Sequence, residues 1–162
     1  MSTELYAWLD EYNDSHINPI NILIHKVAVP VILFTVVGFL WALPIPSGRF
    51  RHLLSVGKVG LVNMAALAII GLLAFYFRLS TKIGMGMALV FVVMMGILTN
   101  MELKNVKIFR LCIILFIVAW IFQFIGHEIE GKKPAFFKDL QFLLIGPIWT
   151  LAGLYRTVGI KY

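Results

Sequence analysis

The stretch 108-IFRLCIILFIVAWIFQFIGHEIEGKKP-134 decides the fold. An apolar run from Ile108 to Gly126 meets His127, Glu128, Glu130, Lys132 and Lys133 without transition. The run approaches the ~20 residues that a helix needs to cross ~30 Å of hydrocarbon. An imidazole and two carboxylates at the mouth of such a helix are costly to place unless they are hydrated, paired or bound to something. The rest of the chain is therefore read for what His127 can reach.

Working outward, the composition is that of a membrane protein. Of 162 residues, 60% are hydrophobic and 14% charged, where soluble domains average about 25% charged. Mean hydropathy is +0.92. The first hydrophobic run begins near Val27 behind an acidic, polar segment, the wrong layout for a cleavable signal peptide, so the N-terminus is expected to be retained. The net charge of +6 does not argue for nucleic acid, because the basic residues lie in short loops between apolar runs, where they meet lipid headgroups. A single Cys112, inside an apolar run, excludes a disulfide framework and a cysteine metal site. No repeat or Gly-rich phosphate loop interrupts the chain, and one membrane domain over 1–162 is expected.

The patterning predicts an all-α integral membrane bundle of four to five transmembrane helices, preceded by a short N-terminal amphipathic helix. That first helix covers 3–15, with Leu5, Trp8, Leu9 and Tyr12 on one side and Glu4, Asp10, Glu11 and Asp14 on the other. Asn18-Pro19 then turns the chain and starts a new helix, with Asn18 as cap and Pro19 in the first turn. This span runs over 19–43, carries Pro30 inside it, and ends at Pro44-Ile-Pro46. Further spans are expected at 59–77, 83–98 and 108–126, with a polar link from Asn100 to Lys107. Gly84, Gly86 and Gly96, with Ala88, permit close helix approach. A last apolar segment, 140–155, is broken by Gly146-Pro147 and reads as either a kinked fifth span or a re-entrant segment. Lys and Arg are nearly balanced between the two faces and set no orientation.

One inference needs no orientation. Four crossings separate His25, at the start of the first span, from His127, at the end of the fourth. An even number returns the chain to the same face, so His16, His25 and His127 share one side, and His52 falls on the other. Three neutral imidazoles suit Fe, Zn, Cu or Ni, and three protein ligands with open positions is the layout of a catalytic metal site. Asn21 and Gln123, each four residues before a histidine, and Glu128 or Glu130 are candidates to orient the ligands. Each histidine alone also fits a separate interfacial residue bonded to backbone or water.

The motif His16-x-Asn18-Pro19-x-Asn21-x-x-Ile24-His25, with Trp120-Ile-Phe-Gln-Phe-Ile-Gly-His127, Glu130 and Lys132-Lys133-Pro134-Ala135, resembles a small membrane-protein family first catalogued as a domain of unknown function. That family includes a yeast endoplasmic-reticulum 2-hydroxy fatty acid dioxygenase of phytosphingosine breakdown. The resemblance runs from about Tyr12 to Leu154. It implies an Fe(II)-dependent enzyme that shortens 2-hydroxy fatty acids by one carbon with O₂, in α-oxidation, with His16, His25 and His127 as the metal ligands. Asn18, Asn21, Gln123, Glu128, Glu130, Lys132 and Lys133 are then candidates to orient those ligands or to meet the substrate carboxylate. Two departures stand out: Lys132-Lys133 occupies the place of an Arg-Arg pair, and Ile17 that of a further histidine. The expected setting is a lipid bilayer, the bacterial inner membrane or the endoplasmic reticulum in a eukaryote. The competing readings are a non-catalytic lipid-binding scaffold or transporter subunit, and a zinc-dependent membrane hydrolase.

Overall fold

The structure, a computed structural model, describes residues 3–43, 54–131 and 136–162, with the side chains of residue 3 and of 136–142 left aside. Its elements are α1 (Thr3–Asn13), α2 (Pro19–Ala42), a hairpin of β1 (Ser55–Val56) and β2 (Val59–Gly60), α3 (Met64–Leu79), α4 (Thr81–Leu103), α5 (Ile108–Glu130) and α6 (Phe136–Thr157). The fold is all-α, as expected, while the expected number of spans is four to five. Among the described residues three helices, α2, α4 and α5, are long and apolar enough to cross a membrane, and α3 is apolar but shorter.

α2 is the hub. It packs along most of its length on α5, and also on α3 and α6, while α3 and α4 form a second antiparallel pair. The chain enters α2 through Asn18, whose side chain accepts from Ile20 N at 2.9 Å, with Pro19 where the missing N–H costs nothing. α2 then runs through Pro30 without interruption. Outward faces of α4 and α5 expose Leu89, Val92, Val93, Ile114, Ile117, Val118, Ile121 and Phe122, a contiguous apolar surface of the kind that faces lipid. α1 buries Leu5, Leu9 and Tyr12 and keeps Glu4 and Asp10 exposed; it packs on α6.

Several boundaries differ from the sequence reading, each for a local reason. The span expected from residue 59 begins at Met64, because Gly57, at φ 58°, lets residues 55–60 close a hairpin, and Asn63 caps α3 by accepting from Ala66 N. α4 continues to Leu103 through the expected link at Asn100. α5 does not stop at Gly126 but at Glu130, where Gly131 takes the left-handed conformation at φ 70°. α6 passes through Gly146-Pro147 as one helix. Proline frees carbonyls in the preceding turn, and Tyr76 donates its hydroxyl to Leu144 O at 3.0 Å, which supplies one neighbouring-helix partner of that kind. Of the glycines read as packing positions, Gly84 lies against Phe77 and Gly86 against Tyr155, but Gly96 faces open space.

Candidate metal centre

His16, His25 and His127 come together. Ring centroids lie 4.3 Å apart for His16–His25, 5.0 Å for His25–His127 and 5.9 Å for His16–His127. Each arrives on a different segment. His25 stands on α2 two turns inside its start, His127 on the last turn of α5, and His16 in the turn between α1 and α2. His16 and His25 are 6% and 1% exposed. His52, expected on the other face, lies outside the described residues, as do Lys132 and Lys133.

The tautomers of two rings are set by the backbone. His16 Nδ1 lies 2.6 Å from Tyr12 O, and His25 Nδ1 lies 3.0 Å from Asn21 O, each the carbonyl four residues earlier. A carbonyl can only accept, so Nδ1 carries the hydrogen and Nε2 keeps its lone pair. Metal-bound histidines are commonly oriented in this way. Nε2 at about 2.1 Å from a metal puts the ring centroid about 3.2 Å away, so two ligating rings at 90–110° stand about 4.5–5.2 Å apart. Donor type and tautomer therefore suit a divalent metal, and of the three spacings His25–His127 lies in that range. The alignment is not ready-made: among the described residues no three His, Cys, Asp or Glu side chains already form a metal-holding group. The His16–His127 separation is the one that has to shorten.

The rings line a cavity of about 50 Å³, together with Gln123 and the apolar Val29, Ile32, Trp120 and Leu143. A cavity of about 10–15 Å³ on this measure holds one water, so this is room for an ion with a few small ligands. Gln123, 7% exposed, bonds to the His25 side chain. Trp120 Nε1 is buried with no hydrogen-bond partner among the described residues, and so is Asn21 Oδ1.

The remaining polar candidates separate. Glu130 accepts from Ile17 N at 3.0 Å, from Asn18 N at 3.0 Å and 3.2 Å on its two oxygens, and from Asn21 Nδ2 at 2.9 Å. Asn18 serves as the α2 cap. Glu128 is exposed, one residue round the helix from His127. Three contributors were not singled out in the sequence. Tyr12 stacks on His16 at 4.2 Å with the rings parallel within 1°; its place four residues before His16 was a usable signal. Trp149 stands 5.4 Å from His16 and donates to Asn13 Oδ1 at 2.7 Å; nothing in its own neighbourhood announces that. Gly126 is the third: a Cβ there would overlap Asn21 Oδ1 and stand 3.3 Å from His25 Cε1.

Comparison with known proteins meets this geometry. The chain is 29% identical over 153 residues to the 2-hydroxy-palmitic acid dioxygenase MPO1 of Saccharomyces cerevisiae, covering 91% of this chain and 78% of the yeast one. No solved structure matches. The family described as 2-hydroxy-palmitic acid dioxygenase Mpo1-like matches residues 2–158, a range that contains all three converging histidines, and the chain belongs to that family.

Proposed function

We propose that this protein is an Fe(II)-dependent dioxygenase of the membrane that converts 2-hydroxy fatty acids to products one carbon shorter. The observation that carries the reading is the convergence of His16, His25 and His127 on one small cavity, two of them with Nδ1 tied to a carbonyl. The family membership and the name of the yeast relative support the substrate class. Bound iron would supply Lewis acidity and a shared coordination sphere for the hydroxy acid and O₂.

The chain's own residues do the rest. His16, His25 and His127 hold the metal through neutral imidazole. Gln123 orients His25 from the next helix. The apolar lining of Val29, Ile32, Trp120 and Leu143 keeps water from the reacting carbons and suits the first methylenes of the chain. Lys132 and Lys133, just beyond α5 in sequence, add positive charge for the carboxylate, each as a point charge. The bulk of the acyl tail stays among apolar helix faces.

The test is turnover. Protein purified without oxygen, loaded with Fe(II) and given 2-hydroxypalmitic acid and O₂, forms the chain-shortened product, and His127→Ala does not. Zinc held by the histidines, with no O₂ consumed and no chain-shortened product, would favour the hydrolase reading. No turnover with any metal, together with unchanged metal content in His127→Ala, would leave the scaffold or transporter subunit.

A further inference from the structure

We infer that Glu130 is a positioning residue: its carboxylate latches the His16 turn onto α2 and α5 and so brings the third imidazole to the other two. This rests on the histidine site proposed above. Glu130 touches every segment that carries a histidine. It accepts from Ile17 N, the residue after His16, and from Asn21 Nδ2, one turn before His25, and it stands three residues after His127 on its own helix. Asn21 passes the link on, since its carbonyl faces His25 Nδ1.

The latch has work to do because His16 is anchored locally to α1. Its ring bonds to Tyr12 O and its amide donates to Asn13 O at 2.9 Å. Those bonds fix His16 relative to α1; the bonds at Ile17 and Asn18 join the turn to α5 across more than a hundred residues of chain. The acceptor count also assigns the role. A carboxylate offers about four lone-pair sites, and Glu130 meets four donor contacts from three N–H groups. Its oxygens are occupied by the protein, so it is neither the fourth metal ligand nor the grip on the substrate carboxylate. It has to be an anion with two accepting oxygens: glutamine would turn an N–H₂ toward another donor.

Co(II) is the probe, because its visible bands report the number and geometry of ligands. In full-length protein the wild type binds Co(II). Glu130→Gln lowers the thermal transition yet stays folded, binds about 10–100-fold more weakly and shows altered bands. In metal-free protein, chemical modification of His16 by an acylating reagent speeds up severalfold in Glu130→Gln. Asn21→Asp combined with Glu130→Gln restores a matched donor–acceptor pair and returns both readouts toward wild type. A purely structural residue would lower the thermal transition and leave the Co(II) bands alone. Wild-type Co(II) affinity and wild-type His16 modification in Glu130→Gln overturn the inference. If the wild type binds no Co(II), the metal reading fails and the His16 modification rate alone decides the latch. If Glu130→Gln does not fold, the double variant decides: Co(II) binding supports the latch, and a folded double variant without it overturns the latch.

Discussion

α2 and α5 close on each other at two places with opposite contents. At the histidine end, Gly126 leaves no room for a Cβ against Asn21 Oδ1; several turns away, Gly38 leaves none against Cys112 Sγ. The means of close approach is the same, a glycine facing a small side chain. What is buried differs. The Gly38 end is filled by Val37, Trp41 and Cys112, with Trp41 Nε1 donating to Glu102 Oε2 at 2.6 Å and the Thr35 hydroxyl to Ile32 O. The Gly126 end buries Asn21, His25 and Gln123. Leaving a buried polar atom unsatisfied costs about 1–3 kcal/mol, and Asn21 Oδ1 and Trp120 Nε1 both lack a partner among the described residues. The Gly38 end shows that this helix pair packs without such groups. Under the proposed function, the ligand at the polar end is what offsets that cost.

That contrast can be broken in order of expected effect. His25→Ala removes a ligand at the polar end; bound iron and product formation fall to background, while Trp41→Phe at the other end leaves both intact. Gly126→Ala pushes Asn21 and His25 aside and lowers iron affinity about 10–100-fold by titration, the loss typical of disturbed ligand support. Gly38→Ala is the matched control. It costs about 1–3 kcal/mol of stability through overpacking, read as a lower thermal transition, with iron affinity unchanged. Gln123→Leu, which keeps the volume and removes the amide bonded to His25, costs about tenfold in metal affinity without moving the transition. Trp41→Phe gives the smallest change, about 1 kcal/mol of stability for one hydrogen bond.

The sequence pointed to the convergence of the three histidines through a count of four crossings, whereas among the described residues three helices are long and apolar enough to cross; what brings His25 to His127 in the structure is the packing of α2 on α5. His25 and Asn21 share a face by spacing alone, and Asn18-Pro19 announces the start of α2. The boundaries were harder. Gly126 read as a helix end because it follows a long apolar run, whereas it is a packing glycine and the terminator is Gly131, whose left-handed backbone has no counterpart in hydropathy. Glu130 read as a partner for metal or substrate because a carboxylate near a histidine invites that. In the structure it accepts from Asn21 Nδ2 and from Ile17 N and Asn18 N, two backbone groups that become available because the Asn18-Pro19 turn leaves them outside a helix. Trp149 could not be placed, since its neighbour His16 lies far off in sequence and meets it only through the packing of α1 on α6.

The central claim is that one metal sits among His16, His25 and His127. The direct measurement is the metal content of protein purified without oxygen and reloaded with Fe(II), for the wild type and for His16→Ala, His25→Ala, His127→Ala and His52→Ala. The account predicts about one iron per chain in the wild type and in His52→Ala, as three-ligand catalytic sites hold a single ion, with loss in each of the other three. Iron retained at the wild-type level in any of those three, or no iron in the wild type after reloading, would contradict it.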